Sequence, residues 1–169
     1  SDRWVECELA NFLERWEGLF RGRARVKSAS ELAASDLEDY HLVCWGTPQS
    51  NSAVRRVFAE WQKRAASGAE HPIGWKNGTI RVGAEEFDAA KHILSGVYPN
   101  PLSSAKYVVL NSGVTFRQAH DRTNSLQNPH LPDWAVIGLD QPPTAETPGR
   151  IVRAGFFDQN WQYSPKLSW

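Results

Sequence analysis

The apolar positions Trp4, Leu9, Phe12, Leu13, Trp16, Leu19 and Phe20 recur mostly at intervals of three and four. This spacing predicts an amphipathic helix over residues 1–20, with Gly22 as its stop. Residues 23–28 alternate and predict a short strand, and residues 30–33 open a helical turn towards Tyr40. His41-Leu42-Val43-Cys44-Trp45 is an unbroken apolar run ended by Gly46, the pattern of a strand covered on both faces. The polar loop 47–51 then feeds a helix over 52–61, in which Val54, Val57, Phe58 and Trp61 share one face. After a loose stretch at 65–70, Asn77-Gly78 stands between two short apolar segments within 73–82 and predicts a hairpin with a type I′ turn.

Further strands are predicted at 92–98, 106–110, 134–139 and 151–157, and the proline-rich stretch 141–149 reads as a surface connection. The polar loop 111–115 precedes a predicted helix from Phe116 to about Asn124, so the order strand, polar loop, helix occurs twice. That repetition predicts an α/β fold: a Rossmann-like three-layer sandwich with a mainly parallel sheet plus a β-hairpin, and with the loops 46–51 and 111–115 as neighbours. The organisation expected is a connecting helix over 1–22, a single α/β domain over 23–161 and a polar, aromatic tail over 162–169.

The 169 residues suffice for one core, and 19 Lys and Arg balance 19 Asp and Glu, so no global field draws the protein to nucleic acid or an anionic membrane. The densest cationic stretch, Arg21, Arg23, Arg25 and Lys27, reads as the exposed face of the edge strand at 23–28. Cys7 and Cys44 are too few for a disulfide framework or a thiolate zinc site; one bridge between them is an open alternative to the favoured reading of two free thiols. No apolar run is long enough to span a membrane, and no signal peptide is evident at the amino end. The absence of methionine reads as the mark of a processed product or a piece of a longer chain.

Candidate chemistry concentrates in the two polar loops. Ser50, Ser52 and Ser112 lie near strand-to-helix turns, where α/β hydrolases expose a nucleophile, but the G-x-S-x-G elbow is absent and Leu110-Asn111-Ser112-Gly113 lacks its first glycine. The competing reading is helix capping. Thr47, Ser50, Asn51, Asn111, Ser112 and Gly113 form a candidate site for a small ligand or anion at helix amino ends, although no glycine-rich phosphate motif is present. His41, His71, His92, His120 and His130 show no zinc spacing, and His120-Asp121 reads as a solvated helical face, so neither a metal nor a cofactor is implied. Asn77-Gly78-Thr79 matches a glycosylation acceptor in form, but the hairpin turn already accounts for it.

Eight tryptophans exceed the needs of such a core. Trp45, Trp61 and Trp134 fall in apolar patterns; Trp4, Trp16, Trp75, Trp161 and Trp169 are interface candidates, with Trp4, Trp161 and Trp169 near the chain ends read as interdomain contacts.

The strings His41-Leu42-Val43-Cys44-Trp45-Gly46-Thr47-Pro48-Gln49-Ser50-Asn51, Tyr98-Pro99-Asn100-Pro101-Leu102, Lys106-Tyr107-Val108-Val109-Leu110-Asn111-Ser112-Gly113, Leu131-Pro132-Asp133-Trp134-Ala135-Val136-Ile137 and Ala154-Gly155-Phe156-Phe157-Asp158 resemble the carboxyl-terminal region of large exported bacterial proteins of the prolyl-oligopeptidase-like or esterase-like α/β-hydrolase kind. The resemblance spans about residues 36–161. It implies a secreted or periplasmic accessory domain whose partner is the catalytic domain of the same parent chain, with polysaccharide or ester as the substrate class, and it transfers no catalytic residue. Two alternatives stand beside it: a small self-sufficient hydrolase with its site between loops 46–51 and 111–115, and a carbohydrate- or cell-surface-binding module.

Overall fold

A computed structural model describes residues 2–65, 71–115, 131–144 and 146–169. The predicted helix at 116–124, with His120 and Asp121, and also His130, lie outside the described residues. Helix α1 (Asp2–Phe20) ends at Arg21, whose φ of 54° turns the chain out of the helix while its N–H still reaches the Glu17 carbonyl. A short helical turn and helix α2 (Ala34–Asp39) lead to strand β1 (Leu42–Trp45), followed by helix α3 (Ser52–Ala65). Strands β2 (Ile73–Lys76), β3 (Thr79–Val82), β4 (Glu85–Asp88), β5 (His92–Pro99), β6 (Tyr107–Asn111), β7 (Trp134–Gly138), β8 (Arg150–Phe157) and β9 (Tyr163–Ser168) complete the described chain.

The nine strands form a six-stranded mixed sheet, ordered β1-β6-β5-β7-β8-β9, and a three-stranded antiparallel sheet, β2-β3-β4. Among the described strands only β1 and β6 run parallel; β6 with β5, β5 with β7, β7 with β8 and β8 with β9 are all antiparallel. The protein is therefore mostly β, and not the mainly parallel Rossmann-like α/β sandwich that the repeated strand-loop-helix order predicts. The reason lies in what an apolar run reports. Trp134-Ala135-Val136-Ile137-Gly138 is buried along its whole length because both faces of β7 are covered. Two-sided cover leaves the same mark on a parallel and on an antiparallel strand.

One face of the large sheet carries the main core. Leu42, Cys44, Val108, Leu110, Leu94, Trp134 and Val136 meet the α3 side chains Val54, Val57, Phe58 and Trp61. The small sheet adds Ile73, Trp75, Ile80 and Val82 to the same core. The opposite face carries a smaller cluster of Ile93, Val114, Ala135, Ile137 and Ala154. Glu85 of β4 ties the sheets together, accepting from Arg153 Nε of β8 and from the Tyr163 hydroxyl of β9, each at 2.9 Å.

Three local expectations change. Residues 23–28 form no strand; the stretch is held by side chains, with Arg25 4.9 Å over the Tyr40 ring and Lys27 2.8 Å from Asp36. Strand β1 is fully covered on one face only: it buries Leu42 and Cys44 there, while on the other face, which α1 covers in part, Val43 is 41% exposed. The tail is largely strand β9, and Trp169 exchanges both backbone hydrogen bonds with Ala154. Pro165 and Lys166, both exposed, interrupt the open edge that β9 would otherwise offer to a foreign strand.

The hairpin closes as predicted through Asn77 and Gly78, with φ of 50° and 77°, between the paired residues Lys76 and Thr79. Gly83 also has positive φ, 60°, but its Cα faces the Tyr163 ring, which an added Cβ would strike. Gly78→Ala is expected to cost roughly 1 kcal/mol from backbone strain alone. Gly83→Ala should cost roughly 2–5 kcal/mol, because overpacking adds to that strain. Urea denaturation of the two variants checks the difference.

His71 stacks on Trp61, with ring centroids 3.9 Å apart, and its Nδ1 pairs with the Ile73 backbone. Burial pushes its pKa down from 6.5 to about 4; the Ile73 hydrogen bond opposes this, while Arg81 and Arg64 add to it. The unfolded chain thus binds a proton near pH 6.5 that the folded chain refuses until about pH 4. Stability from this group is full above pH 6.5 and falls by on the order of 3 kcal/mol as pH drops to 4. His71→Phe keeps an aromatic ring on Trp61, and its unfolding free energy between pH 7 and 4 should decline by that much less.

Candidate functional site

The parallel pairing of β1 and β6 sets Trp45 opposite Asn111, and the Gly46 N–H donates to the Asn111 carbonyl at 2.8 Å. The loops at 46–51 and 111–115 are therefore side by side, at one end of the large sheet. Helix α1 reaches the same place, through Phe12 packed on Trp45 at 5.4 Å between centroids and through Glu8. The Glu8 carboxylate, 5% exposed, accepts from the Thr115 N–H at 3.1 Å and hydroxyl at 2.8 Å. Sequence reasoning missed Glu8. The available signal was an acidic residue within the apolar stripe, three positions after Val5 and four before Phe12.

Within the first loop, the polar side chains bind the loop itself. Asn51 is the cap of α3: its Oδ1 accepts from the Ala53 and Val54 N–H groups at 2.8 and 3.2 Å, while its Nδ2 donates to the Trp45 carbonyl. Ser50 Oγ accepts from the Thr47 N–H at 3.0 Å, and Thr47 Oγ1 accepts from the N–H groups of Gln49 and Ser50. Arg55 holds the Pro48 and Gln49 carbonyls from the first turns of α3. Ser52, the first residue of α3, is exposed.

The second loop is deeper. Ser112 is 3% exposed; its N–H donates to the Leu94 carbonyl at 2.9 Å and its Oγ accepts from the Leu94 N–H at 2.7 Å. The side chain thus stands in for a strand carbonyl and prolongs the β5–β6 ladder by one rung. Asn111 accepts from the Ser95 hydroxyl at 3.2 Å, and Gly113 runs so close to Ile93 that a Cβ would meet its Cγ2 at 2.7 Å. The six predicted ligand residues lie in the two adjoining loops, and the side-chain oxygens of Thr47, Ser50, Asn51, Asn111 and Ser112 accept hydrogen bonds from within the fold.

The three described histidines are engaged as well: His41 accepts from the Tyr107 N–H, His71 pairs with Ile73, and His92 Nδ1 lies 2.9 Å from the Asp88 carbonyl. Among the described residues none of these three hydrogen-bonds a serine hydroxyl; their partners are backbone groups. Burial pushes the Cys44 thiol up to about 12, which leaves it protonated and unreactive; Cys7 is exposed on α1. Among the described residues no group of acidic, histidine and cysteine side chains is arranged to hold a metal ion, and no helix is long and apolar enough to cross a membrane.

What the loops border is an apolar groove of about 600 Å³ between α1 and β1. Leu9, Phe12, Leu13 and Trp16 line one side, Val43 and Trp45 the other, and residues 23–29 form a rim that carries Arg23, Arg25 and Lys27. A second cavity, about 730 Å³, lies between α3 and β2 beside His71 and Arg81. The guanidinium of Arg81 is held there by the Gly83 and His71 carbonyls.

The tryptophans divide differently from expectation. Trp161 turns into the domain, against Tyr98 and Phe157, and its carbonyl accepts from the Tyr98 hydroxyl at 2.8 Å. Trp75 is buried in the core and Trp16 packs between Phe12 and Phe20. Trp4, 40% exposed, and Trp169, 55% exposed and packed at a tilt against Phe156, remain at the surface.

No family model, no curated protein and no solved structure matches the chain.

Replacing Ser112 by alanine leaves the buried Leu94 N–H without its partner and is expected to cost roughly 1–3 kcal/mol. Ser50→Ala, at an exposed loop, should cost less than about 1 kcal/mol. Chemical denaturation of both variants checks the order.

Proposed function

We propose that the chain is a non-catalytic accessory domain of a larger hydrolase of the esterase or peptidase kind. In this reading it packs on the catalytic domain of the same parent chain, or helps to hold an ester or polysaccharide substrate, outside the cytoplasm. The observation that carries the non-catalytic part is the commitment of Ser50, Ser112 and the described histidines to backbone groups. A serine nucleophile needs a hydroxyl free to approach a substrate carbonyl and a base within hydrogen-bond reach to take its proton. Ser112 offers neither, buried as it is beneath the end of β6.

The hydrolase part rests on the resemblance of the five sequence strings. Exposed apolar residues fit a packing role: Trp4, Leu19 and Phe20 on α1, and Phe156, Leu167 and Trp169 at the β8–β9 end of the large sheet. Such residues are normal singly, but two groups of this kind suit contacts with a neighbouring domain.

The test is turnover by the folded chain. Incubated with p-nitrophenyl esters and chromogenic peptides between pH 6 and 9, it is expected to release product no faster than buffer. Release at ordinary enzymatic rates, abolished by Ser50→Ala or Ser112→Ala in variants shown to be folded, would overturn the reading in favour of a self-sufficient hydrolase.

A further inference from the structure

The geometry points to the groove between α1 and β1 as a binding site for an anionic amphiphile, a fatty-acid-like carboxylate whose hydrocarbon chain lies in the groove and whose head meets Arg23. Three observations converge on it. First, the apolar stripe of α1 faces β1 without closing on it. Leu9, Leu13 and Val43 border a space of about 600 Å³, within the roughly 300–1,000 Å³ of small-molecule sites. Helix and sheet ordinarily pack to the density of an organic crystal, whereas here an open groove remains between two apolar walls.

Second, the rim is cationic. Arg23, Arg25 and Lys27 border the groove, while Asp36 is the one carboxylate among its described lining residues. Asp36 is already held by Lys27, and Arg25 lies over the Tyr40 ring. Arg23 is exposed, with no ion pair or hydrogen bond among the described residues. A guanidinium at the mouth of an apolar groove complements a carboxylate head followed by a hydrocarbon tail.

Third, two of the polar side chains that border the groove are already occupied by the fold. Asn51 and Ser50 border the groove with their side chains bound to the loop. This inference does not depend on the non-catalytic role. Ester turnover by the chain would overturn that role and leave the binding test unaffected.

The test titrates the full chain with octanoate, decanoate, dodecanoate and hexadecanoate below their micelle concentrations, following tryptophan fluorescence and heat. Dodecanol serves as the neutral control. Affinity should rise by about threefold to fourfold per added methylene until the groove is full. Arg23→Ala should weaken dodecanoate by roughly twofold to tenfold and leave dodecanol unchanged. Val43→Trp, at an exposed strand position, fills the groove and should weaken both by about tenfold or more. Absence of saturable binding, affinity independent of chain length, or a Val43→Trp variant that binds as well as the parent would overturn the inference. Arg23→Ala acting equally on dodecanol would overturn the assignment of the head group. Displacement of dodecanoate by an acidic, aromatic peptide of much higher affinity would assign the groove to a protein partner instead.

Discussion

The backbone of β5 must find partners along both of its edges, because it runs through the middle of the large sheet, where water cannot satisfy an unpaired N–H or carbonyl group. It does so with β6 on one side and β7 on the other, both antiparallel. That arrangement fixes the rest. With β6 pinned to β5, β1 can join only along the outer edge of β6, and α3 follows β1 onto the face where Val108, Leu110 and Leu94 already gather. With β7 pinned on the other side, β8 and β9 extend the sheet to an edge interrupted by proline. The small sheet is then clasped to β8 and β9 through Glu85, where one carboxylate oxygen receives Arg153 and Tyr163 together.

The same pairing decides the standing of the polar loops. Because Ser112 sits one residue beyond β6 and opposite Leu94, its hydroxyl lies within the ladder and replaces a backbone acceptor. A hydroxyl placed there stabilises the sheet and is withdrawn from solvent, so it cannot also serve as a nucleophile. The loop after β1 is nearer the surface, yet it faces a similar demand. The first N–H groups of α3 have no partner within the helix, and Asn51, with Thr47 and Ser50 around it, satisfies the helix start and the turn before it. Polar residues between a strand and a helix are consumed by the geometry of the junction itself. The groove beside them, between α1 and an edge strand, is apolar with a cationic rim.

Much of this was legible in the order of residues. The amphipathic stripe of α1, the one-sided face of α3, the Asn77-Gly78 turn and the strands at β5, β6, β7 and β8 follow from periodicity and turn chemistry. These are local properties, fixed by the 3.6-residue and two-residue repeats of helix and strand. The adjacency of the two polar loops was expected from a doubly wound parallel sheet; it holds for a narrower reason, the parallel pairing of β1 with β6 inside an otherwise antiparallel sheet. The short strand β4, with its Glu85-Glu86-Phe87-Asp88, was not legible, because strand propensity does not favour acidic residues and its pairing with β3 is what makes it a strand.

What the sequence by itself determined was which segments are regular, which of their faces are apolar, and that no serine-hydrolase elbow or metal-ligand spacing is present. What only the tertiary structure decided was strand direction, the division into two sheets, and the fate of each polar side chain. Direction escapes the sequence because an apolar strand is equally well buried whichever way it runs. The fate of Ser112, Glu8 and Asn51 escapes it because a hydrogen-bonding side chain takes its role from the backbone group that folding brings opposite, and for Ser112 and Glu8 that group lies 18 and 107 residues away.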